Sequence, residues 1–290
     1  MTAFVVAALL IWSLVLVWVV RHQGFFVAAL TRLRETGLAV AVRTWAIRHL
    51  GAPLTRLAQW LSVDVTAALG LVSGGIVVVA LLAAGFTELL DDVLEGELDT
   101  YVDQPVGQWF AANRDAWLTA VMKVLTHVGD PLSLVAIVVS VSAWVCWRIR
   151  SWAPALLGGL SGLIGVGGVV LVVAKWMVGR NRPPSWTAVI VEDGFSFPSG
   201  HATGGFAVAV LLAWMAGSVI RGWTARVKLW AFALSAAGVV AFSRVYLGVH
   251  YVSDVAAGAF LGAAWAVGVI VVGEWWTSRR RSALAAPPAG

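Results

Sequence analysis

Charge is what this sequence has least of. Only 12% of its 290 residues are Asp, Glu, Lys or Arg, whereas 60% are hydrophobic. A soluble domain carries about 25% charged residues, so this composition excludes a water-covered globule and calls for lipid as the solvent. Cysteine is nearly absent. Cys146 stands alone in an apolar run, which excludes an intrachain disulfide and reads as burial or lipid contact. A basic region ahead of the first apolar run is missing as well. Arg21 and His22 follow that run, so it is read as a retained transmembrane helix, not a cleaved signal. There is no tandem repeat, and no cluster of His or Cys among the carboxylates, so neither a metal nor any other cofactor is expected.

What is present is a series of apolar runs. A spanning helix needs about 20 such residues. Seven runs approach this: Ala3–Val20, Val65–Thr87, Pro131–Trp147, Trp152–Ala174, Ala202–Ile220, Leu229–Ser243 and Val255–Gly273. The sixth is short and is expected to continue as helix into Arg244, sunk in a polar pocket of the bundle. The fold class is therefore all-α, a polytopic transmembrane bundle. Cytoplasmic loops are rich in Lys and Arg. Fourteen of the twenty Lys and Arg fall in one alternating set: segments 21–64, 148–151 and 221–228, and the tail after Gly273. This puts the N-terminus outside and the C-terminus inside a cell membrane. Many of the 17 tryptophans, Trp147, Trp152 and Trp176 among them, sit at run ends as interfacial anchors.

Two connecting segments are long. Segment 21–64 is basic and helix-permissive, suited to an anionic inner leaflet. With the net charge of +5 explained by sidedness, no nucleic-acid partner is expected. Segment 88–130 is acidic, with Asp99, Asp103 and Asp130 among its carboxylates. It reads as one or two reclining helices with a solvated acidic face. The glycines Gly158, Gly162, Gly165 and Gly168 read as close helix packing in the fourth run.

Three clusters break the outer side's acidic rule. The fourth run ends in Lys175-Trp-Met-Val-Gly-Arg180-Asn-Arg182-Pro183; the fifth opens with Pro198-Ser199-Gly200-His201; Ser243-Arg244, His250 and Asp254 lie between the sixth and seventh. Each alone has an ordinary reading. Lys175 can snorkel, Arg180 and Arg182 can touch headgroups nonspecifically, Ser199 can cap a helix, and His250 and Asp254 can share a helix-face hydrogen bond. Together, at three helix ends on one side of a membrane, they form a phosphate site. Ionisable groups at membrane depth are expensive and functional. Arg forks and a Lys charge suit phosphate, as do the N–H groups of Gly200 and His201 at a helix N-terminus. His250 can attack phosphorus if its other nitrogen donates to Asp254. His201 can protonate the leaving oxygen. The cations neutralise the transferring group without a metal.

Lys-x6-Arg-Pro, Pro-Ser-Gly-His and Ser-Arg-x5-His-x3-Asp together resemble the signature of the type 2 phosphatidic acid phosphatase (PAP2) and vanadium haloperoxidase superfamily, in its membrane lipid phosphatase branch. Every signature position matches across residues 175–254, and Leu125–Asp130 resembles the segment before that family's second core helix. The resemblance implies His250 as nucleophile, Asp254 as its partner and His201 as general acid. It implies Lys175, Arg182, Ser199, Gly200 and Arg244 as phosphate ligands. It also implies a six-helix core over residues 65–273. The additional N-terminal helix and basic loop (1–64) depart from that plan and the signature does not explain them, and the basic tail (274–290) is expected to be disordered. The expected partner is a lipid phosphate or polyprenyl pyrophosphate in the bilayer, cleaved at the outer face through a phosphohistidine. Phosphoryl transfer to a lipid or sugar acceptor is the alternative, with a vanadate-dependent haloperoxidase and a non-enzymatic lipid-binding or transport protein behind it.

Overall fold

The computed structural model describes residues 2–35, 65–152, 158–162, 164 and 168–285, and no strand occurs among them. Ten helices are labelled here: α1 (Thr2–Arg21), α2 (Gln23–Glu35), α3 (Val65–Glu95), α4 (Gln104–Ala112), α5 (Ala116–Thr126), α6 (Pro131–Ile149), α7 (Val169–Val178), α8 (Gly200–Gly217), α9 (Trp223–Tyr246) and α10 (Val252–Ala285). Among the described residues, α6, α8, α9 and the Val252–Glu274 part of α10 are long and apolar enough to cross a membrane. Leu10–Arg21 is a shorter apolar helix. The chain is an all-α, multi-pass membrane protein.

α8 is the centre. It is apolar on all sides because it is surrounded: it packs on α6, α9 and α10, and α10 packs in turn on α3. Leu134, Val138 and Val145 of α6 interlock with Val208, Leu212 and Met215 of α8. The outer helices keep only one stripe for the core and expose the rest, as Leu132, Val139 and Trp147 of α6 do. That is the pattern of a helix whose other face meets lipid.

The closest approach in the bundle lies between α8 and α10. A Cβ on Gly262 would stand 2.2 Å from the Thr203 carbonyl oxygen, and one on Gly258 2.6 Å from the Ser199 carbonyl oxygen. Only glycine lets the two backbones touch there. The glycines of the fourth run also serve packing, Gly158 against Met215 and Gly162 against Val138.

The structure departs from the sequence expectations in several places. The fourth run is not one described helix. Residues 158–162 are helical, Gly168 has ψ of 123°, and α7 starts only at Val169. α9 does extend through Arg244, which is 1% exposed. α10 continues past the apolar run to Ala285, so the tail up to that residue is helical. Segment 88–130 folds into the end of α3, a π-helical turn at Asp99–Asp103 and the short helices α4 and α5. Phe110, Leu118 and Met122 anchor it on Tyr246 and Leu247. α2 covers the start of the basic loop; residues 36–64 lie outside the described residues.

Candidate active site

Three chain reversals bring the signature residues together. α7 ends at Gly179, a left-handed residue whose N–H caps the Lys175 carbonyl. The loop that follows is tied down at Ser196, whose N–H donates to the Arg180 carbonyl, and at Val189, whose N–H donates to the Leu247 carbonyl. It reaches α8 through the cis Phe197–Pro198 bond. The Ser199 N–H donates 3.0 Å to the Asp254 carbonyl, joining the start of α8 to the start of α10. The third reversal follows α9. Gly248 takes φ of +76°, and a Cβ there would meet the Thr187 carbonyl oxygen at 2.1 Å, so the turn requires glycine. The Val249 and His250 N–H groups then fold back onto the Arg244 carbonyl.

His250 is buried at the centre. Its Nδ1 faces Asp254 Oδ2 at 3.3 Å and the Ser196 hydroxyl at 3.4 Å. Its Nε2 faces the Arg182 guanidinium at 3.2 Å. An arginine only donates, so Nε2 carries the lone pair and Nδ1 the proton. Asp254 Oδ2 also accepts from the Ser196 hydroxyl and, at 2.8 Å, from the Tyr251 N–H. Arg182 is held by the Asp193, Gly194 and Val249 carbonyls. Lys175 Nζ donates 2.6 Å to the Phe195 carbonyl.

The other side of the site holds Arg244 and His201. Arg244 donates to Thr126 Oγ1 at 2.8 Å and to Glu192 at 2.5 Å, and its buried Nε has no partner among the described residues. Burial would raise the Glu192 carboxyl, but the Arg244 hydrogen bond and the charges of Arg244, His201 and Arg182 hold it below the usual carboxylate range. His201 Nε2 donates to Asp130 Oδ1 at 3.1 Å. Burial works to raise the Asp130 carboxyl too, and hydrogen bonds from His127 and His201 outweigh it and keep it low. Ser199 stands at the N-cap of α8 with extended backbone, yet makes no cap hydrogen bond, and its buried Oγ is unpartnered among the described residues. The plain capping reading of Ser199 therefore fails.

His250 thus contacts both Asp254 and Arg182 directly, while Arg244 and His201 sit across the same cleft with Glu192. Ser196, Glu192 and Asp130 join the site without having been singled out as site residues in the sequence. Ser196 and Glu192 had only their closeness to Pro198–His201 as a signal, and Asp130 had the Leu125–Asp130 resemblance. One expectation is corrected: Asp103 is no part of a solvated acidic face, since its side chain is fully buried. Arg180, for which nonspecific headgroup contact is the ordinary reading, pairs with Asp99, Asp103 and Asp254.

An apolar cavity of about 500 Å³ adjoins the cleft. It runs between α6, α8 and α9 from Val128 and Gly129 past Leu212 and Phe232 to Ile220. Gly129 is its link to the polar site, since a Cβ there would stand 2.7 Å from His201 Cδ2.

Burial pushes the His250 imidazole down to about 4, against the raising influence of Asp254, and Arg182 and Arg244 push it further down. An unfolded chain's imidazole titrates near 6.5. Between those values the unfolded state binds the extra proton, so this contribution to stability is intact above pH 6.5 and is lost as pH falls toward 4. Wild type should therefore lose about 2 kcal/mol more than His250→Gln between pH 7 and pH 5. Thermal unfolding in detergent at both pH values measures this, and equal losses would mean that His250 titrates in the fold as it does in water.

The chain is similar to known proteins across the segment that carries these residues. Residues 156–278 match the family model described as PAP2 superfamily. Phosphatidylglycerophosphatase B of Bacillus subtilis (strain 168) is 30% identical over 161 residues, which cover 55% of this chain and 77% of that protein. A probable lipid phosphate phosphatase beta of Arabidopsis thaliana is 40% identical over 143 residues, covering 43% of this chain and 67% of that protein. The crystal structure of a transmembrane PAP2 type phosphatidylglycerolphosphate phosphatase from Bacillus subtilis superposes with a TM-score of 0.61 at 28% identity, over 68% of this chain and 96% of that one. The chain belongs to the PAP2 superfamily, in the branch of its membrane lipid phosphatases.

Proposed function

We propose that this phosphatase cleaves a lipid phosphate or polyprenyl pyrophosphate at the extracytoplasmic face through a phosphohistidine on His250. The observation that carries the reading is the polarity of one imidazole: Nδ1 turned to Asp254, Nε2 turned with its lone pair to Arg182. A neutral, oriented imidazole facing a guanidinium is a nucleophile facing the place where a phosphate would bind. Nε2 attacks phosphorus, and the bond from phosphorus to the lipid oxygen breaks. His201 gives that oxygen its proton, and then takes one from the water that hydrolyses the phosphohistidine and releases inorganic phosphate. Asp130 accepts from His201 Nε2 and so fixes the direction of that imidazole.

The transferring phosphoryl group would be held by Arg182, Lys175 and Arg244. The Ser199 hydroxyl and the N–H groups of Gly200 and His201 complete the set, the latter two being orphan donors of the first turn of α8. The unpartnered Ser199 Oγ and Arg244 Nε are the donors an anion would satisfy. The apolar cavity ending at Gly129 supports a hydrocarbon-bearing leaving group, since it opens beside the proposed acid. The names of the relatives in Bacillus subtilis and Arabidopsis thaliana, both phosphatases of lipid phosphates, point the same way.

The two histidines are separable by leaving group. General acid catalysis contributes about 10²–10⁴-fold, and a lipid alkoxide needs it more than para-nitrophenolate does. His201→Ala should lose most of that factor in kcat on phosphatidic acid and clearly less on para-nitrophenyl phosphate, whereas His250→Ala should be inactive on both. Equal losses on the two substrates would remove His201 from the acid's role.

Sidedness rests on charge. The Lys- and Arg-rich segments alternate with the signature segments, and the positive-inside rule then puts residues 175–201 and 244–254 outside. With Cys146 replaced, a cysteine substituted for Ser185 should react with an impermeant thiol reagent in intact cells. Reaction only after permeabilisation would reverse the orientation.

A further inference from the structure

The signature accounts for Arg182 but leaves Arg180 without a task, although Arg180 is the more thoroughly engaged of the two. Its side chain is 8% exposed and meets three carboxylates. Nη1 donates to Asp254 Oδ1 at 2.6 Å and to the Ser253 hydroxyl at 2.7 Å. Nη2 donates to Asp103 Oδ2 at 2.8 Å and to Asp99. The guanidinium also lies 4.2 Å from the centroid of the Tyr251 ring. Asp103 in turn accepts from the Ser253 N–H at 3.0 Å and from the Ser253 hydroxyl. The π-helical turn Asp99–Asp103 is thereby fastened to the first turn of α10, beside Asp254.

This arrangement divides the Asp254 carboxylate into two halves. Oδ1 belongs to Arg180. Oδ2 is left for the Ser196 hydroxyl, the Tyr251 N–H and His250 Nδ1. A carboxylate held on one oxygen only can rotate about its terminal torsion, which is broad. One held on both oxygens cannot, and its partner imidazole inherits the fixed direction. Arg180 also draws on the Asp254 charge from the far side, at 2.6 Å against 3.3 Å for His250. Asp254 thus orients the imidazole without being free to take its proton. Arg180 and Arg182 stand two residues apart and grip the His250–Asp254 pair from its two ends.

We propose that Arg180, braced by Asp99 and Asp103, is a positioning residue for hydrolysis: it fixes the Asp254 carboxylate so that His250 Nε2 is presented to phosphorus. This rests on His250 being the nucleophile. Lysine at position 180 keeps the charge but has no fork to bridge Asp254 and Asp103. A positioning residue should alter turnover per folded molecule, with folded enzyme counted by size-exclusion chromatography in detergent, and leave phosphate binding alone.

The test uses the full chain in detergent micelles, with phosphatidic acid as substrate and inorganic phosphate as the binding probe. Arg180→Lys should lower kcat about 10–100-fold. KM and the inhibition constant for inorganic phosphate should stay within about threefold of wild type. In an Asp254→Asn background the same substitution should add little, because both act through one carboxylate. If Arg180→Lys fails to fold, Asp99→Asn takes its place: Asp99 is partly exposed, and the ion pair it makes is with Arg180. That variant should lose about two- to fivefold in kcat with KM unchanged. A folded Arg180→Lys with wild-type kcat, a loss confined to KM and phosphate affinity, additivity with Asp254→Asn, or a fully active Asp99→Asn in the fallback case would each overturn the proposal. His250→Ala is assayed alongside; if it remains active, the nucleophile assignment has failed rather than the role of Arg180.

Discussion

Everything at the signature end of this bundle depends on keeping an aspartate and an imidazole buried together with charged arginines beside them. Burial of an unpaired charge is prohibitive, and a buried pair is tolerated only when its remaining hydrogen-bonding positions are filled. Asp254 meets that condition with Arg180, Ser196, Tyr251 and His250 around it. The demands of this one carboxylate explain why three distant segments converge. α7 runs out into the loop that supplies Arg180 and Ser196, the π-helical turn supplies the carboxylates that balance Arg180, and the turn after α9 supplies His250.

Packing provides the stiffness that such a site needs. α8 is enclosed by α6, α9 and α10, and its N-terminus is pinned to Asp254 by the Ser199 N–H. Gly258 and Gly262 let α10 lie against the α8 backbone, so the helix bearing Asp254 and the helix bearing His201 behave as one unit. The apolar cavity lies on the α6 and α9 flank of α8, with Gly129 between it and His201.

Much of this was legible in the sequence. The apolar runs gave the helices because lipid demands long, uncharged segments. The three clusters were legible because their cations stand out beside the acidic segment 88–130, and the fold brings residues of all three together. What stayed hidden was tertiary. Asp103 looked like its neighbours in an acidic stretch; only the fold buries it against Ser253. Arg180 and Arg182, two residues apart, carried the same local signal, and the turn at Gly179 sends them in opposite directions. Glu192 lies in an irregular loop whose path no periodicity encodes. Gly258 and Gly262 were passed over, while the glycines of the fourth run drew attention by their spacing. The reach of α10 to Ala285 is not expected from the sequence because the small, Pro-containing end of the tail reads as disorder, whereas a helix already nucleated propagates readily through Arg and Ala.

The central claim is a covalent bond between phosphorus and His250 Nε2. Phosphoramidates of histidine survive alkali and break in acid, so the measurement is a rapid alkaline quench of the enzyme turning over ³²P-labelled phosphatidic acid, followed by proteolysis and peptide sequencing by mass spectrometry. The account predicts acid-labile label on His250, absent from His250→Ala and chased by water within a turnover. Label on any other residue, or undiminished turnover by the His250→Ala enzyme, would contradict it.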